Sequence, residues 1–251
     1  MGNSTIYQGL QNKVVFITGG ASGIGAAMVK AFVAQEAKVA FIDIDSDAAK
    51  KLSDELAGNC WYRILDVTNP VELQQSISDV SIELGGLDVL VNNVANDRRH
   101  SPENITVSDW HKCMQVNLDP AFFASQAAYN IMKRQSSGSI INFSSINALT
   151  GLKNMSGYVT AKAGLIGMTK ALAHDFGRDN IRVNAILPGW VATDKQLDNW
   201  LTVEEESKWM ESMALKKRIE PKDVAKLALF LGSDDSAIIS GQCIAADGGK
   251  T

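Results

Sequence analysis

The stretch Lys13-Val-Val-Phe-Ile-Thr-Gly-Gly-Ala-Ser-Gly-Ile-Gly25 decides the fold, because an apolar run leads through glycines into a helical pattern. The run Lys13–Thr18 is typical of a parallel strand buried on both faces. Glycines in this context predict a phosphate-binding turn: Gly19 permits the turn, Gly23 admits a pyrophosphate, and Gly25 lets helix and strand pack closely. The helix start adds free N–H groups. The predicted dinucleotide contacts of this turn are Gly19, Ser22, Gly23, Ile24 and Gly25.

Strand-like and helical patterns alternate along the rest of the chain. The further strand-like runs are Lys38–Asp43, Cys60–Leu65, Leu87–Val91, Ile140–Phe143, Ile181–Leu187 and Gln242–Ala246. Without a repeat or a break in composition, this alternation predicts one domain over residues 1–251, an α/β doubly wound parallel sheet with helices on both faces. Residues 1–12 are expected to form a short arm. The stretch 189–217 interrupts the alternation and is expected to be a substrate lid.

Composition excludes several classes of partner. The 24 basic and 28 acidic residues give a net charge of −4, which argues against a nucleic acid or a membrane surface. The three cysteines (Cys60, Cys113 and Cys243) lack disulfide or metal spacing, as expected in a reducing cytoplasm. There is no signal-peptide pattern and no apolar run of 18 residues. We therefore expect a cytoplasmic protein.

The three histidines are scattered. His100, His111 and His174 show no paired metal-ligand spacing, so each is expected to lie at the surface or to cap a helix. No metal site is predicted.

A tyrosine and a lysine four residues apart carry the candidate chemistry. Tyr158 and Lys162 share one face of a helix predicted to begin near Met155, and Ser145 ends the preceding strand. A cation about 4 Å from a phenol, at an effective dielectric of ~20, lowers the phenol pKa by about three units. That would make Tyr158 a general base for an alcohol proton. The pair alone occurs by chance in roughly one chain in four or five, and the serine could simply cap the helix.

Acidic residues end the second and third strands. Asp43 follows Gly25 by 18 residues and can accept both ribose hydroxyls of a dinucleotide. It could instead cap a helix, although Ser46 is better placed for that. Asp66 could meet the adenine amino group or serve as a turn residue. NAD is favoured over NADP because no basic residue for a 2′-phosphate stands at Ala21, Ser22 or Ile44.

Together these motifs resemble the short-chain dehydrogenase/reductase family. The motifs, in family order, are Thr18–Gly25, Asn92-Asn93, Asn117, Ser145, Tyr158-x-x-x-Lys162 and Pro188-Gly189. The resemblance implies a Rossmann-type fold, frequent homotetramers, and Asn117 acting through a bound water and a proton relay. It also implies that Lys162 binds the nicotinamide ribose and Thr193 the carboxamide. Val94 and Ala95 depart from the usual motif and should narrow the space beside the cofactor. The implied catalytic residues are Asn117, Ser145, Tyr158 and Lys162, and the further NAD contacts are Val67, Asn93, Pro188, Val191 and Thr193.

Three stretches narrow the resemblance to bacterial aldose 1-dehydrogenases, notably the NAD-linked D-xylose type. They are residues 93–100, residues 193–200 and the Ile6-Tyr7 arm, with departures at Arg98 and Trp190. The implied reaction oxidises the C1 hydroxyl of a sugar to a lactone. In it Tyr158 takes the proton, Ser145 holds the oxygen and the nicotinamide receives the hydride. The candidate substrate contacts are Asn96, Arg98, Ser145, Asn147, Tyr158, Trp190, Lys195 and Gln196.

Several alternatives remain open at this point. The enzyme could be a 3-oxoacyl or ketone reductase, or could oxidise a secondary hydroxyl of a deoxy-sugar acid; a polar lid favours a polyol. A sensor that has lost catalysis is disfavoured by the complete catalytic set. Arg98 and Lys195 suggest an anionic group on the sugar, unless Arg98 pairs with Asp97 or another surface carboxylate. The lid tryptophans Trp190, Trp200 and Trp209 could be core anchors, or could face the substrate, Trp190 first among them.

Overall fold

The computed structural model describes residues 5–251, so residues 1–4 of the predicted arm lie outside the described residues. Within that range seven strands form one parallel sheet in the order β3-β2-β1-β4-β5-β6-β7. The strands are β1 (Val14–Thr18), β2 (Lys38–Asp43), β3 (Trp61–Ile64), β4 (Val89–Asn92), β5 (Gly138–Phe143), β6 (Ile181–Pro188) and β7 (Cys243–Ala246). This confirms the predicted doubly wound parallel sheet.

Helices cover both faces of the sheet. They are α1 (Gly23–Val33), α2 (Ser46–Glu55), α3 (Pro70–Leu84), α4 (Val107–Asn117), α5 (Asp119–Gln135), α6 (Asn147–Thr150), α7 (Ser156–Gly177), α8 (Asp194–Asn199), α9 (Val203–Ser212) and α10 (Pro221–Gly232). Alternate strand residues point to opposite faces. Val15 and Ile17 therefore pack with α1 and α10, while Val14 and Phe16 pack with α3 and α5. The apolar run of β1 is buried throughout because both faces are covered.

Two features of the helices differ from the sequence prediction, and one local feature explains a helix boundary. Pro120 lies in the first turn of α5, where its missing N–H costs nothing. The cap of α2 is Asp45 rather than Ser46, because Asp45 has an extended backbone and Ser46 is already helical. The 189–217 stretch contains α8, which its polar sequence did not predict.

The sheet topology places the site. β2 and β3 lie on one side of β1, and the chain then crosses from β3 to β4 on the other side, so a crevice opens at the carboxyl ends of β1 and β4. The carboxyl ends of β5 and β6 border the same crevice.

Between residues 5 and 251, the structure contains no helix that combines the length and the apolar character needed to cross a bilayer.

Candidate active site

The glycine-rich turn between β1 and α1 is shaped by its lack of side chains. Gly19 and Gly23 have φ values of +66° and +53°, which favour glycine. A Cβ on Gly25 would lie 1.8 Å from the Gly19 carbonyl oxygen, so α1 approaches β1 as closely as predicted. The Asn93 amide fastens the turn by donating to the carbonyl oxygens of Thr18 at 3.2 Å and Gly19 at 2.9 Å. The turn thus fits a pyrophosphate at the start of α1.

Asp43 lies directly beside this turn. One carboxylate oxygen accepts the Ala21 N–H at 2.9 Å, and the other accepts the Ile44 N–H at 2.8 Å. The carboxylate is therefore held in place at the end of β2, where a ribose would adjoin the turn. These residues fit a dinucleotide.

Asp66 forms a turn at the end of β3. Its carboxylate accepts the Thr68 N–H at 2.9 Å, while the neighbouring Val67 is buried. The turn interpretation of Asp66 is therefore present in the structure, and the adenine contacts of Asp66 and Val67 stay predictions.

Three of the four catalytic candidates converge at the end of β5. Ser145 follows that strand, and Tyr158 and Lys162 project from α7. Lys162 is 1% exposed, and its Nζ donates to the Phe143 carbonyl at 2.7 Å. The same Nζ lies 5.7 Å from the centre of the Tyr158 ring. A hydroxyl, a phenol and an amine thus face one cavity.

The pKa shifts of the pair differ from the prediction. Burial raises the pKa of Tyr158 to about 12, outweighing the hydrogen bond with Ser145, and the charge of Asp97 raises it further. Burial lowers the pKa of Lys162 to about 7. Both groups are withdrawn from water, so each favours its neutral form. The prediction that Lys162 by itself brings the Tyr158 pKa towards neutrality is wrong for this geometry.

Asn117 holds the loop after β4. Its Oδ1 accepts the Asn96 N–H at 2.8 Å, and its Nδ2 donates to the Asn96 carbonyl at 3.1 Å and the Cys113 carbonyl at 3.0 Å. The buried amide therefore anchors the segment that borders the cavity. Its part in a proton relay stays a prediction.

A cavity of about 450 Å³ collects half of the candidate residues. The candidates that line it are Ile24, Asn93, Ser145, Asn147, Tyr158, Lys162, Pro188, Trp190, Val191, Thr193 and Gln196. It is also lined by Trp200 and Trp209, for which the sequence left a substrate-facing position open, and by residues that were not predicted as substrate contacts: Asp97, Arg99, Leu152, Met155 and Glu205. All three tryptophans of the 189–217 segment therefore face the cavity. The sequence pattern could not predict that Asp97 and Arg99 face the cavity, because charged residues in a loop follow no periodicity.

Arg98 and Lys195 lie outside this lining. Arg98 is exposed. The pKa of Asp109 is lowered chiefly by the Thr106 hydrogen bond and to a smaller extent by the Arg98 charge. The side chain of Arg98 therefore acts on the surface near α4 and not in the cavity. Asn96 also lies outside the lining, since Asn117 holds its backbone.

Asp97 links the loop after β4 to the segment after β6. Its carboxylate pairs with the Lys195 Nζ at 2.7 Å and accepts from the Gln196 amide at 3.0 Å. The Gln196 amide oxygen in turn accepts the Trp190 indole N–H at 2.8 Å. Burial raises the pKa of Asp97, but the Lys195 hydrogen bond and charge outweigh it, so the net pKa is lowered. Nearby, the Arg99 guanidinium lies 4.3 Å from the centre of the Trp200 ring.

A dinucleotide turn at the crevice, beside a serine, a tyrosine and a lysine, defines a nicotinamide-dependent dehydrogenase or reductase.

Comparison with known proteins identifies the family. Residues 19–251 match the family model described as enoyl-(acyl carrier protein) reductase. The chain is 42% identical over 250 residues to a probable galactose dehydrogenase of Rhizobium meliloti, covering 98% of each chain. It is 43% identical over 242 residues to a D-xylose 1-dehydrogenase of Caulobacter vibrioides, covering 95% of this chain and 96% of the relative.

A solved structure supports the same assignment. A short-chain type dehydrogenase/reductase from Mycobacterium ulcerans superposes with a TM-score of 0.91 at 27% identity, covering 96% of this chain and 90% of that one. The chain belongs to the short-chain dehydrogenase/reductase family. It is an oxidoreductase that acts on CH–OH groups with a nicotinamide cofactor.

Proposed function

We propose that this enzyme oxidises the anomeric hydroxyl of a free sugar to the lactone with NAD. The observation that carries the proposal is the cavity lining, in which polar groups and indole rings surround Ser145 and Tyr158. Asp97, Asn147 and Gln196 offer acceptors and donors for sugar hydroxyls, and aromatic faces pack against sugar C–H surfaces. The two sugar dehydrogenases among the relatives support the same substrate class.

The chain's own residues divide the chemistry between them. Ser145 holds the C1 oxygen, and the Tyr158 phenolate takes its proton. An oxidised nicotinamide, when bound, would supply a hydride acceptor and a positive charge. Because burial holds the Tyr158 pKa at about 12 in this geometry, Lys162 alone does not make the phenolate. Protonated Lys162, with its pKa near 7, supports the phenolate and binds the ribose, and Asn117 passes the proton outward through water.

NAD is the proposed cofactor, rather than NADP. The Asp43 carboxylate beside the glycine turn accepts ribose hydroxyls and repels a 2′-phosphate. Ala21 and Ile44, whose N–H groups the carboxylate accepts, carry no charge that would hold such a phosphate.

The charge of the cavity favours a neutral sugar over an anionic one. Its carboxylates are Asp97 and Glu205 and its cations are Arg99 and Lys162, so the lining is close to balanced. Arg98, which prompted the anionic hypothesis, lies outside. An anionic group would have to meet Arg99 instead. A 3-oxoacyl reductase is the alternative, and the 3-oxoacyl-[acyl-carrier-protein] reductase among the relatives supports it.

Two further proposals concern the surroundings of the site. The segment 189–217 acts as a lid, since it contributes Trp190, Gln196 and Trp209 to the cavity. The chain forms a homotetramer, since β7 is an unpaired sheet edge next to the 98% exposed Ile238, and α5 exposes Phe122.

An assay of reduced-nicotinamide formation tests the function. D-xylose, D-galactose, a hexose with a C6 anion and its neutral counterpart would each be supplied with NAD and with NADP. The expected result is oxidation of a neutral aldose with NAD, lactone as the product, and at least ~10²-fold less turnover in Tyr158→Phe. A preference for the C6 anion of about tenfold or more, lost in Arg99→Ala, would instead support an anionic sugar. Turnover of a 3-oxoacyl substrate without sugar oxidation would contradict the proposal.

A further inference from the structure

The helix that carries Tyr158 and Lys162 begins without a cap of its own. Its N-cap residue is Met155, whose side chain makes no capping hydrogen bond. The first N–H groups of a helix need outside acceptors. Here the acceptor comes from a different part of the chain: the Gly157 N–H points to His100 Nε2 at 3.2 Å, and Ser156 Oγ lies 3.1 Å from the same nitrogen.

The His100 ring is held firmly against this helix start. The His100 backbone N–H donates to the Asn154 carbonyl at 2.7 Å. A Cβ on Gly157 would lie 3.2 Å from His100 Cε1 and 3.0 Å from Cys113 Sγ. The first turn of α7 is therefore packed directly between His100 and α4, and a side chain at the residue before Tyr158 would have to displace them by a few tenths of an ångström. A backbone N–H can only donate, so His100 Nε2 is the acceptor of this hydrogen bond.

His100 also ends a segment that contacts the proposed lid. In four consecutive residues, Asp97 binds Lys195, Arg99 stacks on Trp200, and His100 binds the start of α7. The loop after β4 thus contacts the lid at one end and the catalytic helix at the other.

We propose that His100 is a positioning residue, which caps α7 from the loop after β4 and so sets the place of the Tyr158 hydroxyl. The inference rests on the proposed function, in which Tyr158 is the base. Satisfying the Gly157 N–H stabilises the first helical turn, and Tyr158 is the next residue in that turn. Small displacements of a positioned base reduce turnover far more than they reduce substrate binding.

Three variants test the cap. His100→Ala removes the acceptor, His100→Gln restores an oxygen at a similar reach, and His111→Ala removes an exposed histidine of α4 as the matched control. We expect His100→Ala to lower kcat about tenfold with little change in the sugar KM or the NAD dissociation constant. His100→Gln should recover most of that loss, and His111→Ala should match the wild type.

Amide hydrogen exchange over residues 155–162 provides a readout that needs no substrate. The Gly157 and Tyr158 amides should exchange faster in His100→Ala and return towards wild-type rates in His100→Gln. Unchanged kcat and exchange in His100→Ala would overturn the inference, as would equal losses in the Ala and Gln variants. If the wild type oxidised no sugar, the proposed function would fail, while the exchange experiment would still decide whether His100 caps the helix.

Discussion

Lys162 is a catalytic candidate whose burial lowers the free energy of unfolding. Its ammonium is buried and meets the Phe143 carbonyl, and burial lowers its pKa from 10.5 to about 7. Above about pH 7 the unfolded chain therefore binds more protons at this residue than the folded chain, so stability rises with pH up to about 10.5. Below pH 7 the full cost of burying the cation is present. The proposed function gives this cost a reason, since in it protonated Lys162 supports the phenolate and binds the ribose.

Replacing Lys162 with methionine should therefore stabilise the protein while removing activity. We expect the free energy of unfolding to rise by about 2–4 kcal/mol at pH 6.5, and the gain to be roughly half as large at pH 9. Urea unfolding of both proteins at the two pH values measures this. A variant that is less stable than the wild type at pH 6.5 would show that the buried amine stabilises the fold.

We predict that Asp43 controls the choice of cofactor. Asp43→Ala should raise the KM for NAD and weaken the discrimination against NADP, because a ribose acceptor and a repelling charge are both lost. Asp45→Ala is the matched control, since it removes a carboxylate two residues away that caps α2. Steady-state kinetics with both cofactors measures the effect. A wild-type enzyme that prefers NADP would be incompatible with this role of Asp43.

Among the elements, α8 makes contacts that the sequence did not predict. It carries Lys195 and Gln196 to Asp97, and so joins the segment after β6 to the loop after β4. The ion pair is partly exposed, with 61% of the Lys195 side chain and 31% of the Asp97 side chain accessible. Its contribution to the free energy of the closed segment is therefore small. The proposed lid is thus held weakly enough to open.

Lys195→Met should loosen this connection without touching the chemistry. We expect the sugar KM to rise about two- to fivefold with kcat nearly unchanged, as suits an ion pair worth up to ~1 kcal/mol. Lys208→Met is the control, because Lys208 pairs with Glu204 inside α9 at 2.7 Å. Added salt should raise the wild-type KM towards that of Lys195→Met. A KM that is independent of both salt and Lys195 would leave the pair as a surface contact.

Among the unpaired or apolar surfaces of the described residues, two lie away from the site and are candidates for contacts between subunits. One is the edge of β7 with Ile238, and the other is the exposed part of α4 and α5, where Val107 and Phe122 are accessible. Two independent contact surfaces are what a homotetramer with dihedral symmetry requires.

The mass of the protein in solution should therefore be four times the chain mass of 27.1 kDa. Light scattering during size-exclusion chromatography measures it. Phe122→Glu should shift the mass to that of a dimer, because a charge at the centre of an apolar contact is left unpaired. A monomeric wild type would remove the basis for the tetramer.

The sequence alone determined the sheet, the order of its elements, the glycine turn and the meeting of Ser145, Tyr158 and Lys162. These follow from local chemistry: a buried strand needs a continuous apolar run, a tight turn needs glycine, and residues four apart share a helix face. Tertiary structure alone decided the pKa shifts of Tyr158 and Lys162, because desolvation depends on everything packed around a group. It also decided that Asp97 and Arg99, and not Arg98, face the cavity, since a loop has no period from which the direction of a side chain can be predicted. The His100 cap on α7 was likewise decided only by the tertiary structure, because its donor and its acceptor lie 57 residues apart in the chain.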